Sequence, residues 1–410
     1  MKFCTECLYS EYHPLGITFN DNGICSGCII HKEKDALNWN DRLTKLKKII
    51  KPYKSHSKNN YDCIVPVSGN GDSYFILHII KNILGMNPLL VMNNKYFNTN
   101  LGIYNLSNLR IKFNCDILIQ NINPISVKKI TQQTLAEIGN IYWPVIAGQT
   151  AFPVQIALKY KIPLVFWGAH QGLEQTGMFT HENEIEMNRR YRKEHDLMGY
   201  EADDLLKVSG ILKEEDIFQY RYPTDSEIGS IGIRGIYLGN YIRWDSKKQN
   251  EQMIKLYNYR TTSLNRTFDT YEHTDCFNYI NIHDLTKFYK HGYTRVTDHA
   301  VREIRFKRIS RRQGIDIVSY YEKKNIKYLN LFCDWINVNN NSLKILMNRF
   351  RNKKIFKEKK VNIWSNRGLA FLLNCKKNND NTKRILMDFI STEKNNLDKK
   401  PEYITVGKGF

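Results

Sequence analysis

Three groups of residues in this chain have the types and spacing that chemistry requires. The first is Ser68-Gly69-Asn70-Gly71-Asp72-Ser73. It follows the apolar run Ile64–Val67 and precedes the apolar-rich stretch Tyr74–Ile80, which closes at Gly85 before Pro88. Strand, small-residue turn and helix present backbone N–H groups and a helix N-terminus to an anion. Glycines let the backbone approach a ligand closely, and the Ser68 and Ser73 hydroxyls can donate to phosphate oxygens. Asp72 cannot ligate phosphate by charge, so it either caps the helix or binds Mg²⁺. The Gly-x-x-x-x-Gly-Lys-Ser/Thr pattern is absent, which excludes a Walker loop. An ordinary tight turn between strand and helix is the other reading of the pattern.

The second group is Cys4-x-x-Cys7 with Cys25-x-x-Cys28, the spacing of a four-cysteine zinc ribbon. Gly23 and Gly27 suit the turns of its knuckles, and His13 and His31 are the alternative ligands nearby. Nine cysteines, an odd number with four in two close pairs, point to metal rather than to a disulfide framework. A closed Cys₄ site has no open coordination position, so its role is scaffolding. The third group is His291-Gly292-Tyr293-Thr294-Arg295-Val296-Thr297-Asp298-His299-Ala300, which leads into a basic helix. Thr297 or Asp298 would cap it, leaving Tyr293, Arg295 and His299 near its N-terminus. Val301, Ile304 and Ile309 would point inward, and Arg302, Arg305, Lys307 and Arg308 outward. A self-satisfied polar hairpin is the rival reading.

The elements that position these groups alternate in type. A helix with Trp39, Leu43, Leu46, Ile49 and Ile50 inward precedes a polar linker at 51–60. The run Ile64–Val67 is followed by a second strand, Pro88–Met92. Next come a helix from about Thr99 to Phe113, capped at Asn98 or Thr99 with Ile103, Leu106, Leu109 and Ile111 inward, and a third strand, Asp116–Gln120. Pro124 opens another helix, a further one covers Gly148–Tyr160, and Pro163–Gly168 is a buried strand. Strands separated by helices predict an α/β fold with a parallel sheet and right-handed crossovers. Ligands of such sheets bind at the carboxyl ends of strands, so the Ser68–Ser73 and Gly168–Gly172 turns should face one site. His170 lies in the second turn and reads as solvated.

Beyond residue 181 the character changes. Glu182–Leu197 reads as a charged, solvated helix, and Gly229–Trp244 as a glycine- and aromatic-rich segment packed over the sheet. Ser310-Arg311-Arg312-Gln313 is a capping box that starts a helix with Ile315, Val318 and Tyr321 inward. Residues 326–370 read as helical and the Lys/Asn-rich tail from Asn374 as peripheral. The expected divisions are 1–35 (ribbon), 36–60 (helix and linker), 61–180 (nucleotide domain), 181–325 (substrate region) and 326–410 (helical region and tail). No internal repeat is evident.

The chain is long enough at 410 residues to bury a large core. No run of about 18 apolar residues and no signal-peptide core occur, so a cytoplasmic protein without membrane contact is expected. The net charge of +20 does not decide for nucleic acid, because Lys and Asn are abundant throughout and an anionic small substrate accounts for it equally.

The turn Ser68–Ser73 resembles the PP-loop, Ser-Gly-Gly-x-Asp-Ser, of ATP pyrophosphatases, which cleave ATP between the α- and β-phosphates. The ribbon, this loop, Phe166-Trp167-Gly168, Tyr237-Leu238-Gly239 before Trp244-Asp245, and Gly292-Tyr293-x-Arg295-x-Thr297-Asp298-His299-Ala300 recur in that order. Together, over roughly residues 1–365, they resemble the N-acetyl sugar amidotransferases of the WbpG and PseA type. The resemblance implies a HUP-like adenine-nucleotide fold and conversion of a sugar N-acetyl group to an acetamidino group. The cofactors it implies are ATP, Mg²⁺ and Zn²⁺, with ammonia supplied by a partner glutaminase and its cyclase-like subunit. The substrate is a nucleotide-linked N-acetyl sugar of surface polysaccharide or flagellin glycan, and nucleic acid is not an expected partner.

On the same resemblance, Val67, Ser68, Gly69, Asn70, Gly71, Asp72 and Ser73 bind the nucleotide together with Val91, Met92 and Gly168, and Cys4, Cys7, Cys25 and Cys28 bind zinc. Asp72, Ser73, Tyr293, Arg295, Asp298 and His299 form the implied catalytic set. Arg295 holds a phosphate or carboxylate of the sugar, while Tyr293, Asp298 or His299 orients the acetamido group or handles protons. The chain departs from the family at Asn70, where a second glycine is usual, and at Gly71, where a lysine is common. Lys95 or a residue of the basic helix is the candidate replacement for that cation. The rival functions are a tRNA-modifying PP-loop enzyme (a thiolase or lysidine-type ligase) and a non-catalytic nucleotide-binding subunit.

Overall fold

Cys63, Ile64 and Val65 are apolar without interruption because both faces of their strand are covered. In the computed structural model, which describes residues 1–54, 59–95, 97–360, 363–368 and 389–392, they belong to a five-stranded parallel sheet. Its strands are β1 (Cys63–Pro66), β2 (Pro88–Asn93), β3 (Ile117–Gln120), β4 (Leu164–Trp167) and β5 (Arg234–Tyr237). Cys63, Val65, Leu90, Met92, Leu164 and Phe166 pack on one face, against the helices Gly71–Leu77 and Asn100–Phe113. Ile64, Leu89, Val91 and Val165 pack on the other, against Ala151, Val154 and Ala157 of the helix Trp143–Tyr160. A period of two within wholly apolar runs is the signature of such a doubly covered sheet.

The strand order is β3-β2-β1-β4-β5. Cys63 pairs with Pro88 and Pro66 with Val91 on one side of β1, and Ile64 pairs with Val165 on the other. The order reverses between β1 and β4, so the loops after these two strands part and leave a crevice at their carboxyl ends. The fifth strand is a departure from the sequence reading. It lies within Gly229–Trp244, and Trp167 is registered with Tyr237.

Local signals set several boundaries as expected. Thr99 caps Asn100–Phe113, Pro124 is the first residue of Pro124–Ile138, and the Ser310 capping box starts Arg311–Glu322. Other readings are corrected. Ile111 is exposed. Glu182–Leu197 is not one helix: a 3-10 turn at His181–Asn183 is separated from a turn at Arg189–Tyr191 that runs into a π-helical turn at Arg192–Asp196, and Arg192 is buried against Glu201. Residues 350–360 and 363–366 are not helical. They include an antiparallel hairpin, β6 (Phe356–Lys360) with β7 (Ile363–Asn366), pinned by the Arg351 guanidinium over Tyr289, Phe356 and Trp364. Most of the tail from Asn374 lies outside the described residues, but Phe389 within it is buried against Phe268 and Tyr271.

The ribbon is not a separate appendage. Leu8, Tyr9 and the four cysteines share a core with Val296, Ala300 and Val301 of the basic helix and with Ile315 and Val318 of the next one. Among the described residues, no helix is long and apolar enough to cross a membrane.

Candidate active site

A cavity of about 730 Å³ lies over the crevice between β1 and β4. Ser68, Asn70 and Asp72 reach its wall from the loop after β1, Ala169 and His170 from the turn after β4, and Lys95 from beyond β2. The opposite wall carries Tyr293, Arg295, Asp298 and His299. Two motifs more than 200 residues apart in sequence thus face one space.

The loop residues divide into wall and brace. Ser73 Oγ accepts from the Ser68 N–H at 3.0 Å, and Ser68 Oγ accepts from Asn70 Nδ2 at 3.2 Å. Ser73 is buried and closes the loop rather than facing the cavity. Gly69 has φ +77°, which favours glycine. Gly71 is required by packing: a Cβ there would stand 1.6 Å from Asn250 Oδ1 and 2.9 Å from Tyr259 Cε1. Val67, Val91 and Met92 are core, and a Cβ on Gly168 would meet the Trp244 ring at 3.0 Å.

Asp72 does not cap the helix. Asn70 occupies the cap position, and Asp72 lies in the first turn with Oδ1 buried and unpartnered among the described residues. Burial, reinforced by Glu272, Asp269 and Glu174 and opposed by Arg302, raises its pKa to about 7. An unpaired carboxylate in that position fits a divalent cation.

Asn70 connects the loop to the opposite wall. Its Oδ1 accepts from the Thr274 N–H at 3.0 Å and its Nδ2 donates to Asp275 Oδ1 at 2.8 Å. Asp275 Oδ2 in turn accepts from Lys95 Nζ at 2.6 Å. Burial works against both charges, but the pair prevails, so Lys95 is held well above and Asp275 below its ordinary range.

The basic helix spans Arg295–Arg305 and is preceded by Thr294 at the cap position, so Thr297 and Asp298 lie in its first turn rather than capping it. The buried Arg295 donates its N–H to Asp284 Oδ1 at 2.7 Å and Nη2 to Asn281 Oδ1 at 2.8 Å. Its Nε and Nη1 have no partner among the described residues, and burial lowers its pKa. The Tyr293 ring lies against those of Tyr9 and His13, with Lys287 Nζ 4.3 Å above its centroid. Asp298 accepts from the Tyr9 hydroxyl at 2.8 Å and from Lys287. His299 pairs Nδ1 with Thr267 Oγ1 at 2.6 Å and Nε2 with Glu272 at 3.2 Å.

The outward face expected of this helix is a correction. Lys307 is exposed, but Arg302 pairs with Asp269, Glu272 and Glu303, and Arg308 with Asp245 and Glu303. Arg305 lies over the cysteines. The cavity wall also includes residues that the sequence did not single out. Glu272, Asp284, His195 and Asp196 are among them. The π-helical turn at Arg192–Asp196 is the irregularity that accompanies His195 and Asp196 there, and burial raises the Asp196 pKa to about 7. His170 is not solvated. It is buried, its Nδ1 accepts from the Gly172 N–H at 3.0 Å, and burial lowers its pKa to about 4.

The four cysteine sulfurs converge, with Cys4 and Cys28 at 3.9 Å and Cys7 and Cys25 at 3.6 Å. A tetrahedral thiolate site with Zn–S of about 2.3 Å has sulfurs about 3.8 Å apart, so the set fits that metal. Arg305 donates Nε to Cys28 at 3.4 Å and Nη2 to Cys25 at 3.6 Å, offsetting thiolate charge. Asp269, Glu272 and His299 also converge, but Arg302 already holds both carboxylates.

Residues 265–368 match the family described as LPS biosynthesis protein WbpG-like, C-terminal domain. An uncharacterized protein of Methanocaldococcus jannaschii is 26% identical over 121 residues, 29% of this chain; the chain spans about two-fifths, 42%, of that relative's length. The NH3-dependent NAD synthetase of Campylobacter jejuni aligns at 16% identity over 48% of this chain and 92% of its own, with a TM-score of 0.28. The matched segment contains Glu272, Asp275, Tyr293, Arg295, Asp298 and His299, so these residues of the wall opposite the Ser68–Ser73 loop fall within the part of the chain that is similar to the WbpG-like C-terminal domain.

Proposed function

We propose that this chain is an ATP-dependent, AMP-forming amidotransferase acting on an N-acetyl group of a nucleotide-linked or nonulosonic sugar in the biosynthesis of bacterial surface polysaccharide or flagellin glycan. The observation that supports it is the shared cavity: Ser68, Asn70 and Asp72 on one wall, Arg295, Asp298 and His299 on the other. An amide carbonyl is a poor electrophile with a poor leaving group. Its oxygen therefore attacks the α-phosphorus, the bond from that phosphorus to the bridging oxygen breaks, and pyrophosphate leaves with the electron pair. Ammonia adds to the carbon of the resulting imidate, AMP departs with the former carbonyl oxygen, and an acetamidino group remains.

In this reading the loop binds the triphosphate, and Asp72 would hold Mg²⁺, which would neutralise charge on the departing pyrophosphate. The unpaired Nε and Nη1 of Arg295 take an anionic group of the sugar. Tyr293, Asp298 and His299 orient the acetamido group. Cys4, Cys7, Cys25 and Cys28 would hold zinc, which would fix the ribbon against that wall, and a partner glutaminase supplies ammonia. The test is AMP release from ATP at high ammonium across a panel of UDP- and CMP-linked diacetamido sugars, each sugar followed by mass spectrometry. Sugar-dependent AMP with an acetamido oxygen replaced by NH is the expected result. ATP binding without AMP for any sugar would replace this reading with that of a non-catalytic subunit.

A further inference from the structure

The loop Ser68–Ser73 contains no cation, yet a triphosphate brings several negative charges to it. A cationic side chain at Gly71 would have to displace the side chains of Asn250 and Tyr259, because even a Cβ there would stand 1.6 Å from Asn250 Oδ1 and 2.9 Å from Tyr259 Cε1. The charge must come from outside the loop. Several cations on the cavity wall are committed elsewhere: Arg302 to three carboxylates, Lys287 to Asp298 and the Tyr293 ring, and Arg192 to Glu201. Lys95 differs in its connection to the loop. It is 4% exposed, lines the cavity beside Ser68, Asn70 and Asp72, and shares Asp275 with Asn70.

We propose that Lys95, held by Asp275 and coupled through it to Asn70 of the loop, is the cation that meets the β- and γ-phosphates of ATP and the pyrophosphate that leaves. An ammonium has three donors. Asp275 Oδ2 takes one at 2.6 Å and Cys276 Sγ lies at 3.7 Å from the nitrogen, which leaves one donor for a phosphate oxygen. The carboxylate keeps the buried amine charged before ligand arrives, and the Asn70 link fixes its distance from the loop that grips the same phosphates. As the bond between the α-phosphorus and the bridging oxygen breaks, charge accumulates on the pyrophosphate side, where a fixed cation in a dry wall stabilises it most.

This inference rests on the nucleotide reading above, and the experiment separates the two. Inorganic pyrophosphate and AMP are titrated calorimetrically, with Mg²⁺, into the full-length protein and into Lys95→Met. The expected result is a loss of tenfold or more in pyrophosphate affinity with unchanged AMP affinity, alongside a lower melting temperature because Asp275 loses its buried partner, and with Lys95→Arg restoring pyrophosphate binding to within a few-fold. Should Lys95→Met not fold, Lys95→Gln, which keeps a hydrogen-bonding end for Asp275 but no charge, carries the same expectation. Equal pyrophosphate affinity in the wild type and the uncharged variant would overturn the role of Lys95 and leave the nucleotide reading standing. A wild-type protein that binds neither AMP nor pyrophosphate would overturn both.

Discussion

The hydroxyl of Tyr9 donates to Asp298 Oδ1 at 2.8 Å, joining the loop of the first cysteine pair to the first turn of the basic helix 289 residues later. The ribbon is therefore part of the wall of the cavity, not a distant clamp. Tyr9→Phe leaves Asp298 with Lys287 alone and should cost about 1–2 kcal/mol of stability. Turnover should fall further than stability does, which thermal melting and kcat measured on the same preparation will separate.

Metal content follows the same link. One zinc per chain is expected by metal analysis, lost in Cys4→Ser, and chelation should abolish turnover as well as lower the melting temperature. A stably folded, fully active protein without metal would remove zinc from the structure of the site.

Asp72→Ala should abolish AMP formation. Asp72→Asn provides a second measurement, because the native carboxyl titrates at about 7, well above its ordinary value of 3.8, chiefly through burial. A raised folded-state pKa gives a stabilising contribution that is complete below the unfolded value and is lost as pH rises through the folded one. Asp72→Asn should therefore melt higher than wild type at pH 8, and the difference should close as pH falls towards 4. AMP formation by the wild type, which needs the carboxylate, should rise with pH through the same window.

Gly71→Ala tests the packing of the loop. The added methyl overlaps Asn250 and should destabilise by about 1–3 kcal/mol, read by denaturant titration. Combining it with Asn250→Ala should recover part of that loss, a coupling that two distant, independent sites would not show.

Arg295→Lys should reduce sugar-dependent turnover at least tenfold while leaving the KM for ATP unchanged, because a point charge does not replace the unpaired guanidinium N–H groups. Wild-type activity should also respond weakly to salt; a steep logarithmic fall would point instead to phosphate contacts with nucleic acid.

What the sequence shows of this molecule is largely its local chemistry. The runs around Ile64, Leu90 and Val165 are apolar on both faces and so read as buried parallel strands. Thr99, Pro124 and Ser310 announce helix starts through groups within four residues of them. The two cysteine pairs carry their geometry in their spacing. What escaped depends on partners far along the chain. Arg302 and Arg308 read as solvated because Asp269, Glu272 and Asp245 lie 30 or more residues away. The strand Arg234–Tyr237 is short and contains a glycine, so only pairing with β4 distinguishes it from a loop. His195 and Asp196 sit in a π-helical turn, an irregularity that a 3.6-residue period cannot reveal.

The Asn70 side chain finds its partners Thr274 and Asp275 204 and 205 residues further on. At ribosomal speeds of about 5–20 residues per second, that separation is roughly 10–40 s of synthesis. During this time the loop has emerged but its tether has not, and the Ser68–Ser73 turn lacks the wall that faces it. A nascent chain thus has only one wall of this cavity until Thr274 and Asp275 have been made.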